Sequence, residues 1–418
     1  MSEMTLSQEL QWRGFVNQTT FTNLEELDKK QLTFYHGFDA SAPSQTVGNL
    51  AAMMFDKAFM RHGHKAIILA GGATSLIGDP GGKDSERPMQ TEETIAHNVE
   101  MAKQQLERIF VGHDFTMVNN IDWTKDLTVI DFLRDIGKHF SMTPLVQRDY
   151  IAKRIGEGGG GISYTEFSYT LLQGMDFLHL YDEFGATLQL GGSDQWGNCL
   201  SGVDLIRRAR GAETHVITLP LVINKATGKK FGKSEEGAVW LDAERTSPTQ
   251  FYQFWINADD EGVEGYLKVF TELGKTEVDE IMAKHHENPK ERFAQTRLAQ
   301  EVTRLVHGED EMKAAEAVTL CLTGKKPIGD IDEGVMDVMR RELPHTQANA
   351  GDSIVDVLAA TGLVESKSEA RRLVQGNAIA VNHEKTTKET IEDTDFLNGR
   401  ILIRKGKAFK DSALVERA

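Results

Sequence analysis

The sequence predicts an α/β protein in which a parallel sheet wound by helices comes first, an all-helical region second and a small α+β module last. Three observations predict it. Short strand-like runs at residues 33–38, 66–70, 116–119, 187–190 and 215–218 alternate with helical patterns, as expected when the helix after each strand folds back over a parallel sheet. From Ser247 to about Leu343 the apolar spacing turns wholly helical, with Phe251, Phe254, Trp255, Tyr266, Leu267 and Phe270 placed for a buried helix face. After Leu343-Pro344-His345, a weakly hydrophobic stretch precedes two short helices, 353–361 and 368–376, and strands at 378–382 and 400–407. At 418 residues the chain is too long for one core. The expected division is a sheet domain at 1–225, a mobile loop region at 226–246, a helical domain at 247–345, a linker at 346–351 and the terminal module at 352–418.

Taken in order, Leu32 to Asp39 reads as a buried strand, and the turn-rich Ala40 to Asn49 leads into an amphipathic helix from Leu50 to Arg61. In an open α/β sheet, ligands bind beyond the carboxyl ends of the strands, where the next helix offers free N–H groups and the positive end of its dipole. Gly48 leaves room for a flat base, and Thr46 and Asn49 beside it can donate to phosphate oxygen. An ordinary capped loop is the other reading of this segment. Glycine-rich residues 156–161 form a loop before a helix at 165–184. On that helix Tyr169, Gln173 and Asp176 share one face, which either meets solvent or lines a pocket, while Leu171, Leu172, Phe177 and Leu178 bury the rest. Lys229-Lys230-Phe231-Gly232-Lys233-Ser234 sets three lysines and a hydroxyl between Gly228 and Gly237. Such a loop either clamps polyphosphate, its ammonium groups following charge onto a leaving group, or is a solvated hairpin.

Composition narrows the class. The net charge of −16 argues against a surface coated by nucleic acid. Residues 351–418 carry 11 Lys/Arg and 11 Asp/Glu, so the whole negative excess sits upstream and the tail has the milder potential for an RNA. Cys199 and Cys321 are the only cysteines and form no Cys-x-x-Cys spacing, so neither a disulfide framework nor a cysteine zinc site is indicated, and a reducing cytoplasm fits. Met1 to Gln8 are polar and acidic and no apolar run approaches about 18 residues, so neither secretion nor membrane association is expected.

Five motifs in order resemble the tyrosyl-tRNA synthetases of bacterial type, class I aminoacyl-tRNA synthetases, and the resemblance covers nearly the whole chain. They are Tyr35-His36-Gly37-Phe38-Asp39, Gly71 to Pro80, Phe132 to Ser141, Gly191-Gly192-Ser193-Asp194-Gln195-Trp196-Gly197-Asn198, and the Lys230-to-Ser234 loop. The resemblance implies a Rossmann-like catalytic domain, a helical anticodon-side domain and a terminal S4-like RNA-binding module. It implies a tyrosine–tRNA ligase that makes tyrosyl-adenylate from L-tyrosine and ATP, releases pyrophosphate and passes tyrosine to tRNA(Tyr). Magnesium would arrive with ATP and no metal would be bound by the protein. The partners implied are tRNA(Tyr) and a second copy of the chain, a homodimer with Phe132 to Phe140 at a two-fold interface.

Residue by residue, Tyr169, Gln173 and Asp79 would receive the α-ammonium of tyrosine, while Asp176 accepts its phenolic hydroxyl and Tyr35 donates to the same oxygen. Two polar partners on one hydroxyl reject phenylalanine, a discrimination that tyrosyl-tRNA synthetases are themselves used to illustrate, so no editing domain is needed. Gln195 would meet the reacting carboxylate or phosphate, and Asp194 and Asp39 the ribose and ammonium ends. Gly37, Gly48, Gly191 and Gly192 would let adenosine lie against backbone. Lys230, Lys233 and Ser234 would meet the departing pyrophosphate, and Arg371, Arg372, Arg404, Lys405 and Lys407 the tRNA phosphates. The carboxylate is already ionised, so the first step needs alignment and charge stabilisation rather than a general base.

The chain departs from the family at one motif, where Thr46-Val47-Gly48-Asn49 stands for His-Ile-Gly-His. Asn49 keeps a neutral donor of similar reach, whereas the shorter Thr46 needs a water or a backbone shift to touch phosphate, which bears on the rate of adenylate formation. His36 replaces a small residue, commonly cysteine, beside the ribose. Two competing readings follow, a pseudo-synthetase that binds RNA structurally, and a ligase for tryptophan or a ring-modified tyrosine. The retained lysines weigh against the first and the paired phenol contacts against tryptophan.

Overall fold

The computed structural model describes residues 4–78, 90–147, 149–156, 158–234, 237–406 and 408–418. It divides into two compact units, one of Met1–Leu241 with Asp259–Glu287 and one of Asp242–Ala258 with Asn288–Ala418. In the first, strands β1 (Gln18–Thr19), β2 (Thr33–Phe38), β3 (Lys65–Ala70), β4 (Phe115–Asn119), β5 (Leu188–Gly192) and β6 (His215–Leu219) form one sheet in the order β1-β6-β5-β2-β3-β4. The last five are parallel, and β1 joins β6 antiparallel. All five expected strands are present with ends within two residues. The sixth, β1, is a two-residue edge strand, too short to carry a period.

Alternation along β2 sorts its side chains to two buried faces. Phe34 and His36 face the helix Val47–Arg61, Phe34 packing on Phe59 with ring centroids 5.3 Å apart and His36 bonding Asp56. Tyr35 faces the other way, onto Phe177 of the helix Tyr164–Phe184, in a core shared with Ile67, Leu69 and Leu205. That helix is fixed at its start by reciprocal bonds between Ser163 and Glu166 and ends at the left-handed Gly185. The helix expected from Leu50 begins three residues earlier, at Val47. Because β2, β3 and β5 run parallel, their carboxyl ends open together where the helices Val47–Arg61, Gly72–Ile77 and Trp196–Arg210 begin.

The second unit corrects the expected division in two places. Residues 247–345 are not one helical domain, because Asp259–Glu287, with Tyr266, Leu267 and Phe270, belongs to the first unit. Period alone places these aromatics on a helix without saying which core receives them. The expected linker at 346–351 also begins inside a strand, β9 (His345–Ala348), which runs parallel to β13 (Ser412–Arg417). The terminal sheet has the order β11-β10-β12-β13-β9, with β10 at Ile379–Val381, β11 at Glu384–Thr386 and β12 at Arg400–Arg404. Both its faces are buried. Ile401, Ile403, Ala413 and Val415 face the helices Ile354–Thr361 and Lys367–Gln375, while Leu402 and Leu414 pack with Val318, Leu322, Met336 and Met339 of the helical region. Among the described residues, no helix is long and apolar enough to cross a membrane.

Candidate active site

A cavity of about 320 Å³ opens beyond the carboxyl ends of β2, β3 and β5. It brings together Tyr35, Gly37 and Asp39, then Asn49, then Tyr169, Gln173 and Asp176 from one helix face, and finally Gly191, Gly192, Asp194 and Gln195 from the end of β5. The polar helix face is thus turned inward. Thr46, Gly48 and Lys230 lie outside the lining, and Asp79 falls outside the described residues.

Hydrogen bonds order one wall. Tyr169 Oη donates to Asp39 Oδ2 at 3.1 Å, and Thr74 Oγ1 donates to Asp39 Oδ1 at 3.1 Å. Asp176 accepts from Asn120 Nδ2 and from Trp123 Nε1, each at 2.9 Å. Its carboxyl is pushed up to about 7 by burial, against the pull of those two bonds and with a further push from Asp39. Tyr35 is held well above the usual phenol range, first by burial and then by Cys199 and Asp176 nearby. Among the described residues, three buried polar atoms on this lining have no hydrogen-bond partner, Tyr35 Oη, Gln173 Oε1 and Gln189 Oε1. Buried polar atoms are rarely left so, and three around one cavity mark a place for a polar ligand.

The end of the cavity near Gln195 and His36 has its own supports. Gln195 Oε1 accepts from Asn198 Nδ2 at 3.1 Å, and Asn198 Oδ1 accepts from Thr170 Oγ1 at 2.7 Å. His36 Nδ1 lies 2.7 Å from Asp56 Oδ1. Burial by itself would lower the imidazole, but attraction to Asp56 and the bond with it raise it. Thr46 Oγ1 and the Thr46 N–H both donate to Asn49 Oδ1, at 2.8 and 3.0 Å. The Thr46 hydroxyl is thus engaged with Asn49. The bond to Asn49 turns the asparagine so that its Nδ2 is the end left to donate.

The lysine loop is tied to that helix start. Strands β7 (Lys233–Ser234) and β8 (Gly237–Ala238) form its hairpin, Val239 N–H donates to the Gly232 carbonyl, and Val47 N–H donates to the Val239 carbonyl at 3.0 Å. Lys230 is exposed, and the side chains of Lys233 and Ser234 fall outside the described residues. In the second unit Arg371 and Arg372 are exposed on the helix Lys367–Gln375 and Lys405 is half-buried, while Lys407 falls outside the described residues. Arg404 departs from expectation, since its Nη1 donates to the Leu322 carbonyl and ties β12 to a helix end.

Sequence reasoning missed Asn120, Trp123, Thr74, Gln189 and Asp56. Asn120 follows β4 directly, at a strand's carboxyl end, and Thr74 lies within the Gly71-to-Pro80 motif, which are the available signals; the others sit on elements whose period reports burial and not function.

The chain is similar to known proteins along nearly its whole length. Residues 27–323 match the family described as tRNA synthetases class I (W and Y), and residues 333–410 match the tyrosine–tRNA ligase SYY-like C-terminal domain. A tyrosine–tRNA ligase of Corynebacterium diphtheriae is 45% identical over 416 residues, covering 97% of this chain and 98% of that one. A protein named tyrosine–tRNA ligase 2 from Bacillus cereus is 43% identical and covers 99% of each. The crystal structure of a C-terminally truncated mitochondrial tyrosyl-tRNA synthetase from Aspergillus nidulans superposes with a TM-score of 0.68 at 29% identity, over 76% of this chain and 94% of that one. With family models matched over residues 27–323 and 333–410 and relatives matched along nearly its full length, the chain belongs to the tyrosine–tRNA ligase family of class I synthetases.

Proposed function

We propose that the cavity is where this tyrosine–tRNA ligase forms tyrosyl-adenylate, with the phenol of L-tyrosine between Tyr35 and Asp176. The observation that carries this is the buried Tyr35 Oη, which has no partner among the described residues and lies on the same lining as Asp176. A phenolic hydroxyl serves both groups at once, donating to the carboxylate and accepting from Tyr35, while phenylalanine or tryptophan leaves Tyr35 Oη unpaired and Asp176 with Asn120 and Trp123 alone. Gln173, Gln189, Tyr169 and Asp79 receive the ammonium end.

Activation proceeds by in-line attack of the tyrosine carboxylate on the α-phosphorus of ATP, and pyrophosphate leaves with its magnesium. Gln195 holds the reacting carboxylate or phosphate and Asp194 the ribose, with Gly37, Gly191 and Gly192 against the adenosine. Asn49, oriented by Thr46, donates to phosphate as charge builds, and Lys230, Lys233 and Ser234 follow the pyrophosphate. The ribose hydroxyl of the terminal tRNA adenosine then takes the acyl group, so no covalent enzyme intermediate is needed.

The terminal module acts as an S4-like RNA-binding domain, meeting tRNA(Tyr) phosphates through Arg371, Arg372, Lys405 and Lys407. The enzyme works in the cytoplasm as a homodimer. Val129, 73% exposed just ahead of the Phe132-to-Phe140 segment, and Leu133 within it, 48% exposed, supply apolar surface there. ATP–pyrophosphate exchange with each of the twenty amino acids tests the central reading. Exchange with tyrosine alone is expected, and silence with all twenty from folded protein overturns it.

A further inference from the structure

Phe231 is the one apolar side chain in Lys229-Lys230-Phe231-Gly232-Lys233, and it is 7% exposed where both preceding lysines are exposed. Its ring stacks on Tyr266 with centroids 4.2 Å apart and planes 27° from parallel, and Phe270 lies next at 5.7 Å. Both partners belong to the helix Val263–Phe270.

That slot is itself held at each end. Tyr266 Oη donates to Asp259 Oδ2 at 2.7 Å. At the far end the buried guanidinium of Arg13 donates to the carbonyls of Lys268, Thr271 and Leu273, at 2.5, 2.9 and 3.0 Å, and is anchored in turn by Glu9. On the other side of Phe231, Gly232 has φ +94°, and a Cβ there would stand 3.2 Å from the Gly48 nitrogen. One residue thus carries the chain from an aromatic slot to the start of the helix that bears Asn49.

We propose that Phe231, seated on Tyr266, is a positioning residue for tyrosine activation, setting where Lys230 and the Gly232 backbone stand relative to the helix start at Val47. The proposal rests on the reading of this loop as the pyrophosphate clamp. Lysine stems are long and flexible, so without a fixed point the ammonium groups sample many positions, and a misplacement of about 1 Å costs rate out of proportion to any loss of binding. The stack supplies the fixed point between the lysines.

The test is pre-steady-state tyrosyl-adenylate formation by full-length protein, with tyrosine affinity and thermal unfolding measured alongside. Phe231→Ala is expected to slow adenylate formation by about 10- to 100-fold with tyrosine affinity and melting temperature unchanged. Tyr266→Ala should do the same, and the double variant should be no slower than the slower single, since both remove one contact. Phe231→Leu should recover part of the rate, and Tyr266→Phe, which keeps the ring, most of it. A parent rate in Phe231→Ala while Lys230→Ala is slow overturns the proposal and leaves the clamp standing; parent rates in both overturn the clamp and the proposal with it. Multiplicative losses in the double variant, or loss of tyrosine affinity in step with rate, also overturn it. If Phe231→Ala does not fold, Phe231→Leu and Tyr266→Ala decide the matter, and parent rates in both count against the proposal.

Discussion

Thr46 Oγ1 donates to Asn49 Oδ1 at 2.8 Å, so these two residues at the start of the helix Val47–Arg61 hold each other. On the proposed function, Asn49 is the donor and Thr46 its orienting partner. Asn49→Ala should slow adenylate formation by about 10- to 1000-fold without comparable loss of ATP affinity. Thr46→Ala should cost less, and adding it to Asn49→Ala should cost nothing further. Single-turnover adenylate formation measures all three, and a parent rate in Asn49→Ala would mean another donor has taken the role.

On the proposed function, Asp176 should make tyrosine binding depend on pH. Its carboxyl, raised to about 7 by burial, is half-protonated near neutrality, and a phenolic donor favours the ionised form. Tyrosine should therefore bind more tightly as pH rises through about 7, with proton release visible as a buffer-dependent heat. The Trp123 bond favours the carboxylate, so Trp123→Phe should move this midpoint to higher pH. A midpoint that stays in place would show that the indole does not tune the group.

Truncating Asp176 itself should damage selection more than catalysis. Asp176→Ala leaves tyrosine without an acceptor while phenylalanine loses nothing, so kcat/KM for tyrosine should fall far more than for phenylalanine. Equal losses would make the residue structural, a support for Asn120 and Trp123 alone.

Deleting residues 351–418 should abolish tRNA charging and spare adenylate formation, because the cavity lies wholly in the other unit. It should also destabilise what remains of the second unit, since Leu402 and Leu414 complete a core with Met336 and Met339. Leu402→Ala alone should lower that unit's stability by about 2–5 kcal/mol. Loss of adenylate formation on deletion would show that the tail supports the catalytic unit.

Arg371 and Arg372 are exposed on one short helix. Replacing both with alanine should weaken tRNA binding and flatten its dependence on salt, by roughly one to two phosphate contacts, with tyrosine activation unchanged. An unchanged salt slope would remove them from the RNA surface.

Much of the catalytic unit was legible in the chain itself. The strand from Thr33 to Phe38 alternates against two helix layers, so its apolar character and its turn-rich exit at Ala40 to Asn49 point to a parallel sheet with a site at its end. The spacing of Tyr169, Gln173 and Asp176 places them on one helix face whatever surrounds it. These are local facts, set by the periods of strand and helix. Only tertiary structure decided that this face looks into a cavity, that Asn120 and Trp123 hold Asp176, that Tyr266 serves the catalytic unit while Trp255 serves the other, and that the stretch after Pro344 is a strand. Each depends on contacts between segments far apart in the chain, and no local period records which distant surface a side chain will meet.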